Sequence, residues 1–159
     1  MSSSAQFVHL RVHSEYSLLQ GAMRLKSLPD LCVRENMPAL AVTDKNNLFC
    51  ALEFSVSASS KGIQPIIGCQ IDTQYSDLKV GESLPKLASL VLIAQSEKGF
   101  QNLMKLNSCL YLDEEKRGLP RVDLLELQKY SDDLICLSGG PSGPIGSLIA
   151  DGQLDKAKY

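Results

Sequence analysis

The stretch MPALAVTDKNNLFCALEF, residues 37–54, passes from an apolar run through a polar turn into a helix-forming segment. Its run ALAVTD, entered through Met37 and Pro38, is short, almost wholly apolar and bounded by turn residues. That pattern marks a strand covered on both faces. From about Leu48 to Lys61 the sequence then reads as a helix, stopped by Gly62, a residue suited to the left-handed conformation just past a helix end. A buried strand that ends in Asp44 and Lys45 and feeds a helix is a βα unit with polar groups at its carboxyl end.

Outward from this unit the same alternation repeats. FVHLRV, ahead of it, reads as a strand, and Leu25 to Glu35 as a helix with Leu28, Leu31 and Cys32 spaced by three and four. Beyond it, IQPIIGCQI is a third strand, and Asp72 to Lys86 reads as a surface excursion. ASLVLIAQ is the strongest strand, and Ser96 is placed to cap a helix reaching about Leu112 that offers Phe100, Leu103, Met104 and Leu106 for burial. DEEKRGLPR is a charged loop, Asp123 to Tyr130 a short helix, LICLSGG a further strand and PIGSLIADG a helix beginning at Pro144. LDKAKY looks like one more helix just starting. Strands separated by helices are usually parallel, so the expected class is α/β with about five βα units. A closed parallel barrel needs more, and the chain reads as one cut short.

Composition narrows the function classes. The 159 residues are 44% hydrophobic and 21% charged, an ordinary balance for one globular domain. Sixteen basic against 18 acidic residues give a net charge of −2, without the surplus that lets a free-standing domain hold phosphate backbones. Five widely spaced cysteines, Cys32, Cys50, Cys69, Cys109 and Cys136, with no CxxC pair, point to reduced thiols in a cytosolic protein, and their apolar surroundings to core positions. MSSSAQ has no basic stretch followed by an apolar one, which argues against export, and no apolar segment is long enough for a membrane span.

In parallel α/β folds chemistry collects at the carboxyl ends of the strands. Four groups fall there: Arg11 with His13, Asp44 with Lys45, Cys69 with Gln70, and Ser138 with Gly139 and Gly140. His13 and Asp44 could ligate zinc, manganese or iron, but two ligands are too few. Arg11 keeps its proton, Lys45 would have to lose its own, Gln70 is a weak neutral donor and Gly140 has no side chain. Blander roles stand beside these. His9, on the same side of the pleat as Arg11 and His13, reads as a hydrogen-bonded structural histidine, and Asp44 could cap its own loop with Thr43, Asn46 and Asn47. SGGPSGP could cradle an anion but lacks the GK[ST] ending, so a turn is expected.

FVHLRVHSEYSLLQGA, MPALAVTDKNNLFCALEF, GIQPIIGCQI, LVLIAQSEKGFQNLMKL and LICLSGG, in that order and spacing, resemble the N-terminal PHP (polymerase and histidinol phosphatase) domain of the bacterial DNA polymerase III alpha subunit family. The resemblance implies a distorted parallel βα barrel of the PHP type, here truncated to about five of seven βα units, over residues 7–159, incomplete at its C-terminal end and preceded by a disordered 1–6. Metal-binding members of that family read HLHxHS, TDHgN, GxE and SGC. This sequence keeps His13 and Asp44 and has Arg11, Lys45, Gln70 and Gly140 at the other positions, a degenerate pocket with His9 behind it. No metal and no catalytic residue are therefore expected in this segment. The resemblance further implies a cytoplasmic parent that is a DNA-directed DNA polymerase, a nucleotidyltransferase of DNA replication using magnesium in its own palm domain. It implies contact with DNA through that parent and no membrane partner. The segment's own expected role is a metal-free structural and docking module for the proofreading exonuclease subunit, among other replicase subunits. The competing reading is a metal-dependent phosphoesterase or 3′–5′ exonuclease, which needs a metal-activated water; a third is anion binding at Arg11, Lys45 and the backbone around Gly139.

Overall fold

The computed structural model describes residues 7–75, 86–112 and 119–158; the expected disordered 1–6 lies outside them. The chain divides into two compact units, Met1–Cys69 and Gln70–Tyr159.

In the first unit, β1 (Ala39–Val42) is buried along its whole length. It pairs in parallel with the start of β2 (Gln64–Gln74), Ala39 opposite Gln64 through Val42 opposite Ile67. Parallel pairing requires a crossover, and α2 (Ala51–Ser60) supplies it. Gly62 follows at φ 75°, the left-handed turn the sequence implied. A 3-10 turn (Leu25–Ser27) leads into α1 (Leu28–Arg34), with Pro29 in its first turn, where a missing N–H costs nothing. Leu25, Leu28 and Cys32 meet Leu40, Val42 and Phe54 in one core cluster, and Phe54 is fully buried.

FVHLRV is not a regular strand. It reaches β1 through two backbone bonds, Ala41 N–H to His9 O at 2.9 Å and Thr43 N–H to Val12 O at 2.8 Å. The donors stand two residues apart and the acceptors three, so one residue too many lies on the His9 side. The chain bends at Leu10 to absorb it, as at a bulge, and the ladder is lost there.

In the second unit β3 (Leu87–Ala94) pairs with β4 (Leu134–Leu137), Val91 opposite Leu137 and Ala94 opposite Leu134. The pairing is antiparallel, which corrects the expectation of parallel strands throughout. Strands that approach as a parallel pair and as an antiparallel pair can be equally apolar, so the sequence pattern carries no direction. Hydrogen-bonded neighbours run in the order β1-β2-β3-β4, in a mixed α/β fold. Between β3 and β4 lie α3 (Glu97–Leu112) and α4 (Leu124–Lys129). Ser96 caps α3 as expected, its Oγ accepting from Gly99 N–H at 3.1 Å while donating to Asp133 at 2.8 Å. Helix α4, of only six residues, is held by a reciprocal capping box between Asp123 and Glu126.

The surface excursion expected from Asp72 is shortened, because β2 runs on to Gln74. Val122 bonds to it on both sides, Val122 N–H to Asp72 O and Gln74 N–H to Val122 O, each 2.9 Å, and the Ser89 hydroxyl donates to the buried Asp72 carboxylate at 2.7 Å. The rest of that excursion, residues 76–85, and most of the DEEKR loop, residues 113–118, lie outside the described residues. SGGPSGP forms a turn: Gly139 stands at φ 75° and would drive a Cβ to 2.1 Å from Ser89 O. A 3-10 turn (Gly140–Ser142) follows, then α5 (Pro144–Ala150) and α6 (Leu154–Ala157). No helix among the described residues is long and apolar enough to cross a membrane.

Candidate functional site

The residues singled out at the strand ends of the first unit separate into two arrangements. Asp44, just past β1, is completely buried. A bare carboxylate there would be prohibitive, since an isolated buried charge costs far more than one exposed to water. Its two oxygens are met by short bonds: Ser14 N–H and the Ser17 hydroxyl both donate to Oδ1 at 2.6 Å, and the Ser14 hydroxyl donates to Oδ2 at 2.6 Å. Burial pushes the thiol of the nearby buried Cys50 up, and the influence of Asp44 pushes it the same way, so the thiol stays protonated.

The collar organises the loops around it. Ser17 Oγ also accepts from Lys45 N–H at 3.0 Å, tying the segment after His13 to the segment after β1. Asn47, not Asp44, caps the TDKNN loop: its side-chain N–H groups donate to Tyr16 O at 3.0 Å and Lys45 O at 2.9 Å, and its Oδ1 accepts from Phe49 N–H at 3.2 Å. Asn46 takes the left-handed conformation at φ 54°. The buried Cys69 thiol donates to the carbonyls of Asp44 and Asn47 at 3.2 and 3.4 Å.

His9, Arg11 and His13 form the second arrangement, on one side of a cleft of about 570 Å³. Its floor is apolar and includes Leu28, Met37 and Leu40 from the core. His9 and Arg11 are exposed and His13 half-buried, and the His9 ring packs edge-on against Phe7 at 4.7 Å. Gln70 is buried in β2 and Gly140 opens the turn after β4 at φ 58°, both in the second unit.

Both oxygens of Asp44 already accept hydrogen bonds, Arg11 stands between the two histidines, and no group of three or more His, Cys, Asp or Glu able to hold an ion occurs among the described residues. Sequence reasoning missed Ser14, Ser17 and Cys50. Two hydroxyls three residues apart in HSEYS, a spacing suited to a loop closing on an acceptor, were the available signal. It also placed all cysteines in the core, which holds for Cys32, Cys50 and Cys69, whereas Cys109 is half-buried and Cys136 exposed.

The PHP-domain family profile matches residues 9–159. Among curated proteins, DNA polymerase III subunit alpha of Caulobacter vibrioides is 42% identical over 151 residues, covering 95% of this chain and 13% of that protein. The subunit alpha of Borreliella burgdorferi is 40% identical, covering 99% of this chain and 14% of that protein. This chain thus spans about an eighth of the length of these relatives. Among solved structures, a candidate metal-dependent phosphoesterase from Bifidobacterium adolescentis superposes with a TM-score of 0.50 at 11% identity, over 98% of this chain and 52% of that one, a likeness of fold.

Proposed function

Because this chain belongs to the PHP-domain family, we propose that it is the N-terminal PHP region of a DNA polymerase III alpha subunit, serving there as a metal-free structural and docking module. The names and identities of its relatives support the first part. In this reading the whole subunit is a DNA-directed DNA polymerase of the cytoplasm that uses magnesium in its palm domain and meets DNA there. The present region forms part of a distorted βα barrel of the PHP type, truncated at its C-terminal end, and receives the proofreading exonuclease subunit.

One observation supports the metal-free part: both oxygens of the Asp44 carboxylate accept hydrogen bonds from Ser14 and Ser17. To ligate an ion it would have to give up serine bonds inside a sealed site, with the fixed charge of Arg11 in the same unit. Support is then the work left to these residues, since the collar joins two loops that a shared metal would otherwise join.

Elemental analysis of the purified chain, with phosphate release from a generic ester in manganese, tests this reading. Less than a tenth of an equivalent of zinc or manganese and no metal-dependent turnover are expected. Stoichiometric metal with turnover would establish the phosphoesterase or 3′–5′ exonuclease reading instead. For the docking role, a pull-down between the full-length subunit and the proofreading exonuclease should succeed; retention that survives deletion of residues 1–159 would remove this region as the dock.

A further inference from the structure

The second unit carries an open groove between α3 and α4, of about 610 Å³. One wall is a single face of α3, where Met104, Lys105, Ser108 and Leu112 recur at three and four, and the other is formed by Glu126 of α4 and Tyr130 just past its end. The apolar part of the α3 wall is wet, Met104 being 42% exposed and Leu112 79%. They stand eight residues apart, about 12 Å along the helix, a distance that roughly two turns of a second helix would span. Ser108 makes no demand on a ligand, because its hydroxyl donates to Met104 O at 2.9 Å.

The charge at this groove is one-sided. The ammonium groups of Lys105 and Lys129, one from each helix, stand 5.6 and 5.1 Å from the centroid of the Tyr130 ring. Neither forms a salt bridge among the described residues, whereas Lys98 in the first turn of α3 is paired with Asp132 at 3.0 Å. The lining carboxylate, Glu126, is engaged by Asp123 N–H at 3.0 Å in the capping box. The ring attracts both ammonium groups but leaves their charges in place, on a chain whose net charge is −2.

Exposed aliphatic side chains along one wall, with positive charge beside them, are complementary to an amphipathic helix that carries carboxylates next to its apolar stripe. A single-stranded nucleic acid suits the groove less well, since bases stack on an open aromatic face and the Tyr130 ring already holds two ammonium groups. We propose that the α3–α4 groove is a docking site for an acidic amphipathic segment of a partner protein, its apolar side chains over Met104 and Leu112 and its carboxylates on Lys105 and Lys129. This assignment rests on the docking role given above and narrows it to one face and one class of partner.

Titration of the isotope-labelled 159-residue chain, followed by NMR, tests it with three probes of similar length. They are a synthetic helix with leucines at three-and-four spacing among glutamates, its counterpart with lysines for the glutamates, and a single strand of deoxythymidines. The glutamate helix is expected to bind saturably, with shifts at Met104, Lys105, Leu112 and Tyr130, and to weaken as salt is raised. The lysine helix and the DNA strand should bind at least about tenfold more weakly. Joint reversal by Lys105→Glu and Lys129→Glu, both exposed, should weaken the glutamate helix by about tenfold with the rest of the spectrum unchanged, and Met104→Glu should do likewise. Leu52→Glu, on the exposed face of α2, should leave its binding as it was. Shifts outside the groove, equal binding of the lysine helix or the DNA strand, or unchanged affinity in the joint reversal would each overturn the assignment. In the full-length subunit, retention of the proofreading exonuclease that needs residues 1–159 yet survives the joint reversal would overturn the groove and leave the docking role standing; retention that needs neither would remove the docking role, and the groove with it.

Discussion

The Asp44 collar and the row of His9, Arg11 and His13 arise from neighbouring stretches of one unit, yet their chemistry is opposite. The collar is a buried negative charge surrounded by neutral donors, with both oxygens engaged at 2.6 Å. The row is set along the rim of a cleft, with Arg11 exposed. A buried charge is tolerable only when hydrogen bonds replace its water, whereas an exposed guanidinium keeps its water and asks little of the fold. Stability should therefore reside in the collar more than in the row. That division can be broken by experiment.

The largest effect is expected from Asp44→Ala. It leaves Ser14 N–H and two buried hydroxyls without an acceptor, and charged hydrogen bonds contribute about 1.5–3 kcal/mol each, so a loss of about 3 kcal/mol or more in urea unfolding is expected. A change under about 1 kcal/mol would mean that the collar is not where stability lies. Gly21→Ala follows, at about 1–3 kcal/mol, because the added methyl meets the backbone oxygen of Ser14, which cannot swing aside as a side chain would. An unchanged melting temperature in that variant would show the wall to be loose.

A smaller effect is expected from pH. The Cys50 thiol is raised above its ordinary value of 9.0 in the folded chain. Unfolding frees a group that loses its proton more readily, so this contribution is intact below 9.0 and lost as pH climbs through the raised value. Urea midpoints at pH 7.5 and about 9.5 should diverge less in Cys50→Ser than in the parent chain. Equal divergence would place the sensitivity elsewhere. The smallest effect belongs to Arg11→Gln, whose stability should change by no more than about 0.5 kcal/mol. A loss above about 1.5 kcal/mol would make Arg11 a structural residue and erase the contrast.

What the sequence disclosed depended on how local the controlling physics was. Strand β1, helix α2 and the turn at Gly62 are set by an unbroken apolar run and one glycine, and all were readable. The cap of α3 at Ser96 was readable for the same reason. FVHLRV misled because alternation records which side chains share a side, while strand geometry depends on register with a partner, and that register slips at Leu10. The direction of β4 was hidden likewise. At the site, His9, Arg11 and His13, which the sequence groups by their spacing, line one cleft. Asp44 was found as a residue, but its partners were not, since Ser14 and Ser17 lie 30 and 27 positions away and only the fold brings them near.

Three thiols of the first unit, Cys32, Cys50 and Cys69, are 0%, 4% and 0% exposed. They are sealed under the same packing that holds the collar shut, so a thiol reagent can reach them only when that packing parts. Their labelling is thus an internal clock for opening of the unit: its rate, read site by site, would time how often the sealed carboxylate meets water, without a probe having to be introduced.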